Sequence, residues 1–182
     1  MIIDPQTGAV TFPSGYLIDS DLSQDGFKTS KMSGQAQARH SGTLPWMQYH
    51  LSCGFLEGAE VLVVLWYYGQ MLVSVDIPTT RLPPEDRNWS NYSVDVEAAT
   101  KAFHDHILER MLGKPTKSEC HSFVSVAPAH ATLACPHVWT FRWGTVCSAH
   151  NFQNGDSSIT MCYGDRGDKA RQAYEDFCAR RL

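Results

Sequence analysis

The fold is decided by two stretches of the sequence, WSNYSVDVEAATKAFHDHILERMLG (residues 89–113) and WGTVCSAHNFQNGDSSITMCY (residues 143–163). The first stretch predicts one amphipathic helix, because apolar residues recur at helical spacing after Ser93, a residue type that caps helix N-termini. The second predicts a tight β-hairpin, because the dipeptide Asn154-Gly155 favours a two-residue turn in which both central positions need positive φ. Together the two stretches indicate the α+β class.

The predicted helix has one apolar stripe and one charged side. Asp95 and Glu97 complement the positive end of the helix dipole, and Gly113 with Pro115 ends the helix. At 100° per residue, six residues fall within about 60° of one line and are expected to face a sheet. They are Val96, Ala99, Thr100, Phe103, Ile107 and Met111. The side expected to face solvent carries Lys101, Asp105 and Glu109.

The remaining sequence predicts strands and a second helix. Residues 48–53, 60–67 and 71–77 predict an antiparallel meander, and residues 60–67 are apolar on both faces, which favours a strand covered on both sides. Residues 9–18 predict two short strands, residues 20–45 a polar loop, and residues 118–137 a loop with a strand at 122–126. A terminal helix is expected over residues 168–180, with Ala170, Ala173, Tyr174 and Phe177 on one face.

These elements give one expected architecture. We expect a single α+β domain over residues 1–182, with an antiparallel sheet of about five to seven strands. One face of this sheet is covered by the helix over residues 93–112, and the terminal helix packs at an edge.

Composition narrows the class of protein. The chain is 43% hydrophobic and 19% charged, values typical of globular proteins. A net charge of −4, with no Lys/Arg cluster longer than Arg180-Arg181, argues against nucleic-acid binding. The N-terminus lacks the pattern of a secretion signal, and the longest apolar run, residues 61–68, is far too short to span a membrane. A cytoplasmic protein is therefore expected.

The six cysteines are expected to be free thiols, because a domain of this size can fold on its core and no secretion signal is visible. A two-residue turn at Asn154-Gly155 would set Cys147 directly opposite Cys162. That pair would occupy a hydrogen-bonded site, where a cross-strand disulfide is less favourable, so free thiols are expected here too.

Candidate chemical residues cluster near the C-terminal half. The ligand-like residues are Cys120, His121, His130, Cys135, His137, Cys147 and His150. Their spacings do not match the paired ligands of short zinc motifs, so no metal and no cofactor are expected. His104 and His106 lie on different sides of the helix and cannot share a metal. His104 with Asp105, or Cys147 with His150 as a nucleophile pair, remain candidates for an enzyme.

The aromatic residues suggest a binding role. Trp89 and Tyr92, just before the helix, are the tryptophan and tyrosine most expected to be exposed, and such residues often dominate the binding energy of interfaces. The loop over residues 118–137, with His130 and His137, is the second candidate for contact with a protein partner.

Residues 55–163 resemble a family of small bacterial proteins of unassigned activity, which look like the immunity-type partners of bacterial toxin systems. The matching residues follow that family's pattern of a tryptophan and glutamate before a helix, then a Trp-Gly hairpin. They are Trp89, Ser93, Glu97, His104, Asp105, Leu108, Leu112, Gly113, Trp143, Gly144, Ser148, Ser158, Ile159 and Tyr163. The chain departs from the pattern at Tyr92, where the family tends to have Trp, in an insertion over residues 120–137, and in the added terminal helix.

Two functions therefore follow from the sequence. The favoured one is a cytoplasmic binding protein, an immunity protein that neutralises a cognate bacterial toxin by protein–protein contact. The resemblance implies it, and the absence of G-x-S-x-G, H-E-x-x-H, P-loop and G-x-G-x-x-G motifs agrees with it. The alternative is an enzyme that uses the His/Asp or the Cys/His pair.

Overall fold

The structure of the protein is a computed structural model that describes residues 1–40, 45–81, 93–118, 128–153 and 155–179. In chain order its elements are β1 (Ile2–Ile3), β2 (Val10–Thr11), β3 (Leu17–Ile18), α1 (Gln24–Thr29), a 3₁₀ helix (Lys31–Gln35), β4 (Gln37–His40), β5 (Trp46–Leu56), β6 (Ala59–Tyr68), β7 (Met71–Thr80), α2 (Val94–Leu112), β8 (Lys117–Ser118), α3 (Pro128–Leu133), β9 (His137–Phe141), β10 (Gly144–Asn151), β11 (Asp156–Tyr163) and α4 (Arg166–Ala179).

The described strands form two antiparallel sheets. The large sheet has eight strands in the order β4-β5-β6-β7-β11-β10-β9-β8, and the small sheet has the order β1-β2-β3. The α+β class and the β5–β6–β7 meander are confirmed. The expected strand number was too low, because the edge strands β4 and β8 are short and polar and lack the alternating apolar pattern of a strand.

The two faces of the large sheet differ in exposure. On β6, Val61, Val63 and Leu65 are fully buried on what we call the inner face, whereas Leu62 and Val64 on the outer face are partly exposed. The expectation that this strand is covered on both sides was therefore wrong. An apolar outer face does not by itself show that another layer covers it.

One half of the inner face is covered by the N-terminal segment. The Phe27 ring of α1 packs against the rings of Tyr49 and Tyr67, with centroids 4.6 and 6.3 Å away. The expected loop over residues 20–45 instead contains α1, the 3₁₀ helix and β4. A six-residue helix is too short to show periodicity, and its signal is the Ser23 hydroxyl, which accepts a hydrogen bond from the Gly26 N–H at 3.0 Å.

Helix α2 covers the other half of the inner face. It begins after Ser93 and ends at Gly113, whose φ is +79°, although the Ser93 hydroxyl makes no capping hydrogen bond. The predicted inward stripe was correct at buried Ile107 but wrong at Val96, which is 39% exposed, and Lys101, expected to face solvent, is fully buried. The buried residues of α2 are Ala98, Lys101, His104, Ile107 and Leu108. Two of these, Lys101 and His104, are charged or polar, so a count of apolar positions does not identify the inward side.

The β10–β11 hairpin has a longer loop than expected. Its last pair is Asn151 with Asp156, and the Gly155 N–H donates to the Asn151 carbonyl at 2.7 Å. The pairing sets Cys147 opposite Thr160 and Cys162 opposite Thr145, so the predicted direct Cys147/Cys162 pair was wrong. Gly155 has the positive φ that the dipeptide predicts, but this does not fix the length of the loop.

The cysteine expectation is confirmed at three positions and wrong at one. Cys53, Cys147 and Cys162 are free, whereas Cys135 is disulfide-bonded. Cys120 and the side chain of Cys178 lie outside the described part of the chain.

Two predicted elements near the C-terminus need correction. Residues 128–133 form α3 rather than a loop, and the predicted strand at 122–126 lies outside the described residues. The terminal helix is present as α4, but it contacts the central strands β7 and β11 rather than an edge strand, and Ala170 is fully buried whereas Ala173 is exposed.

Candidate functional site

The outer face of the large sheet carries a partly exposed aromatic surface. Trp46 on β5 and Tyr68 on β6 are paired across the strands, with an edge-to-face ring contact at 5.1 Å. Trp66 lies two residues before Tyr68 on the same face, opposite Gln48. All four side chains are partly exposed, so this half of the face can contact another molecule.

A fixed carboxylate lies beside the Trp66 ring. The Trp66 indole Nε1–H donates to Asp76 Oδ2 at 2.6 Å, and the Thr160 hydroxyl donates to Asp76 Oδ1 at 2.8 Å. Burial raises the pKa of Asp76 against the lowering effect of these two hydrogen bonds, and the nearby Asp156 raises it further. No ion pair between described residues includes Asp76. We call Trp46, Trp66, Tyr68, Asp76 and Thr160 the outer-face cluster.

The strand register explains how these residues meet. Asp76 on β7 lies directly between Val64 on β6 and Thr160 on β11, and Trp66 is diagonal to it across the β6–β7 pair. A register irregularity follows Trp66, where Tyr67 pairs with Leu72 rather than Val73. The irregularity carries Asp76 to the same face as Trp66, since a one-residue shift moves every side chain of a strand to the other face.

A second group of polar residues lies between α2 and the inner face. Nine side chains form this group, which we call the α2–sheet polar cluster. They are Thr79, Glu97, Lys101, His104, Asp105, His137, Ser148, His150 and Ser157.

Within this cluster, Ser157, His150 and Glu97 do not form a catalytic triad. The Ser157 hydroxyl is 3.0 Å from His150 Nδ1, and Glu97 Oε2 is 3.9 Å from the same nitrogen. A triad needs the nucleophile and the carboxylate on different ring nitrogens. The Ser157 hydroxyl also donates to the Glu97 carbonyl at 3.2 Å, which makes His150 Nδ1 the donor and leaves Nε2 without a hydrogen. Ser157 is only 3% exposed, so a substrate cannot reach it.

Lys101 forms the charged centre of the cluster. Its Nζ lies 2.8 and 3.1 Å from the two carboxylate oxygens of Asp105, and its side chain is fully buried. His137 Nδ1 is 3.5 Å from Asp105 Oδ1. Because a buried cation is stable only when it is paired, this ion pair within α2 neutralises the charge that the helix buries. The contact between Asp105 and His137 on β9 connects the pair to the sheet.

His104 completes the cluster on the β7 side. Its Nε2 is 2.8 Å from the Thr79 hydroxyl, and burial lowers its pKa to about 4, against the opposing charge of Asp105. Four of the five buried side-chain atoms without a hydrogen-bond partner in the described residues belong to the cluster. They are His104 Nδ1, His137 Nδ1, Ser148 Oγ and His150 Nε2.

The structure does not assemble either pair proposed for catalysis. Cys147 and His150 lie three residues apart on β10 and therefore point to opposite faces of the sheet, with His150 inside. Burial raises the pKa of the Cys147 thiol, and a thiol of raised pKa is a poor nucleophile. His104 bonds Thr79 and not Asp105, and it has no exposed surface.

The predicted partner-binding residues are only partly placed by the structure. Trp89 and Tyr92 lie outside the described residues, and so does the side chain of His130, whose backbone is in α3. His137 begins β9, and its side chain is 21% exposed beside Asp105. It therefore belongs to the α2–sheet polar cluster more than to an open surface.

Sequence analysis missed the outer-face cluster. The apolar pattern of residues 60–67 predicts that Trp66 is covered, and Asp76 is a single acidic residue in an otherwise apolar strand that matches no motif. Asp76 is the residue that could have indicated this cluster. Aspartate is rare in strands, so an aspartate within a strand is expected to have a specific structural or functional role.

The described residues show no metal site and no membrane-spanning helix. No group of three or more His, Cys, Asp or Glu side chains in the described ranges could hold a metal ion. No helix in the same ranges is long and apolar enough to cross a membrane. Compared with known proteins, the chain matches no family model, no curated protein and no solved structure.

Proposed function

We propose that this protein binds a cognate protein toxin as an immunity protein, and that the toxin docks on the outer face of the large sheet. The observation that carries the proposal is the outer-face cluster, in which partly exposed Trp46, Trp66 and Tyr68 share one face of the sheet with a carboxylate that Trp66 holds in place. Tryptophan and tyrosine next to a defined polar group are the residues that dominate binding energy at protein interfaces.

The scaffold supports the proposal because the cluster lies on interior strands of the sheet. β6 and β7 are the third and fourth of eight strands, so both edges of each are hydrogen-bonded to neighbours. Side chains on such strands lose little freedom when a partner binds, which lowers the entropic cost of association. The catalytic alternatives, by contrast, rest on residues that are buried or lie on opposite faces of the sheet.

The resemblance to immunity-type proteins suggests the class of partner. A toxin is neutralised when another protein covers its active surface, and a broad sheet face can do this without any chemistry of its own. The gene next to this one is the natural source of the partner, since toxins and their immunity proteins are commonly encoded together.

The test is co-purification with the product of the neighbouring gene, followed by affinity measurement by calorimetry. Trp46→Ala with Tyr68→Ala should weaken binding at least about tenfold, because each change removes a large partly exposed ring. Phe152→Ala is the matched control, since Phe152 is 66% exposed but lies in the hairpin loop. The same assay with Trp89→Ala and Tyr92→Ala tests the second candidate surface. If a neighbouring toxin binds nothing and still kills cells that express this protein, the proposal is wrong.

A further inference from the structure

Resting on the proposed function, we infer that the partner inserts an arginine side chain at the outer face and pairs it with Asp76. The partner surface that fits this protein is therefore cationic at its centre, with apolar groups around the cation. The inference rests on the hydrogen bonds of the Asp76 carboxylate, on the charged residues near it and on the adjacent Trp66 ring.

The carboxylate of Asp76 retains unused acceptor capacity. Trp66 and Thr160 each donate one hydrogen bond, and each bond goes to a different oxygen. An ionised carboxylate has about four lone-pair sites, so one acceptor direction on each oxygen is left. A guanidinium group donates two parallel hydrogen bonds and matches this pair of directions.

The described residues supply no cation to balance Asp76. Every ion pair between described residues is formed elsewhere, and the nearby charge that acts on Asp76 is the like charge of Asp156. The strand register places Arg39 and Lys117 on the outer face, but on the two edge strands β4 and β8. The outer face is thus acidic at the centre and basic at the rims, a pattern that a cationic partner group complements.

The ring beside Asp76 favours arginine over lysine. Trp66 is partly exposed, and its indole N–H already fixes the ring against the carboxylate. A planar guanidinium can stack on an indole ring while it forms two hydrogen bonds to a carboxylate, whereas an ammonium group cannot do both.

The experiment uses the full chain and the protein encoded by the neighbouring gene. Asp76→Asn keeps the size of the side chain and removes its charge, and it should weaken binding about 30-fold or more, as loss of one member of a buried charge pair does. Asp168→Asn is the control, since it makes the same change in net charge at an exposed site on α4. An affinity of Asp76→Asn within twofold of the control would overturn the inference.

A measurement on the unaltered protein tests the inference even if the Asp76→Asn variant does not fold. The carboxyl carbon signal of Asp76 is followed by NMR against pH, free and in the complex. A paired arginine lowers the pKa of Asp76 in the complex, whereas an apolar partner group raises it. Arginine-to-lysine changes in the partner then identify the contact, and the cognate change should weaken binding to wild type but much less to Asp76→Asn.

The outcomes separate this inference from the proposed function. If the unaltered protein does not bind the neighbouring gene product, the proposed function fails. If it binds, and Trp46→Ala with Tyr68→Ala weakens binding while the pKa of Asp76 rises in the complex, the docking surface stands and the arginine inference is wrong.

Discussion

His104 should make the stability of the protein depend on pH in a defined way. Its ring is fully buried, and burial lowers its pKa from 6.5 to about 4. The folded protein therefore holds His104 neutral at a pH where the unfolded chain has already bound a proton. Stability from this residue is complete above pH 6.5 and is lost as the pH falls from 6.5 to about 4.

The size of the effect follows from the two pKa values. When the pH falls from 7.5 to 4.5, protonation of this histidine in the unfolded state lowers the free energy of unfolding by about 2.5 kcal/mol. Glu97 and Asp76 act in the opposite sense, because burial raises their pKa values and the folded state gains stability as they are protonated. A total pH profile would mix these groups, so the contribution of His104 needs a variant.

The assay is urea denaturation followed by tryptophan fluorescence at pH 7.5 and 4.5. His104→Gln can keep a hydrogen bond to Thr79 but does not titrate, so its unfolding free energy should change with pH by about 2.5 kcal/mol less than that of wild type. His106→Gln is the matched control, since His106 is exposed two residues away on the same helix. A pH dependence of His104→Gln equal to that of wild type would refute the burial argument.

Three further outcomes test other parts of the structure. Lys101→Met should cost about 3–5 kcal/mol of unfolding free energy, because Asp105 loses its buried partner, and Lys101→Met with Asp105→Leu should recover most of this loss; additive losses in the double variant would disprove the pairing. Gly8→Ala should cost at least about 2 kcal/mol, because φ is +74° and the new Cβ would lie 2.5 Å from the Trp143 ring, whereas Gly34→Ala meets no atom within 4 Å and should be neutral in thermal unfolding. Iodoacetamide on the native protein at alkaline pH should modify exposed Cys162, whose pKa is raised by desolvation and by nearby Asp76, and should spare Cys53, which is fully buried with a pKa of about 12; rapid modification of Cys53 would contradict its burial.

Local patterns predicted the elements of the fold better than their orientation. The end of α2 followed from Gly113, whose positive φ stops the helix, whereas its start falls at Ser93 without the capping hydrogen bond that the prediction assumed. The inward side of α2 did not follow, because buried Lys101 is neutralised by Asp105 on the same helix and buried His104 is hydrogen-bonded to Thr79 on β7, which is distant in the sequence. Apolar periodicity cannot predict the orientation of a helix that packs on the sheet partly through hydrogen bonds, such as His104 to Thr79 and Ser157 to Glu97.

Strand register limited the prediction of the candidate site. A regular two-residue turn at Gly69-Gln70 would pair Trp66 with Val73, but the irregularity in β7 pairs it with Ser74. That single extra residue places Asp76 on the same face as Trp66. No residue type in β7 predicts the irregularity. The outer-face cluster could therefore be recognised only from the three-dimensional structure.

The edges of the large sheet have a consequence for how the protein behaves at high concentration. A broad face with partly exposed tryptophans favours self-association. Long unpaired edge strands would favour it further, because their backbone groups can pair with a strand of another molecule. Here the described edges are β4, four residues long with Arg39 on it, and β8, only two residues long. Such edges offer few free backbone groups for another sheet to extend. The aromatic face can therefore stay exposed without making the chain a template for aggregation.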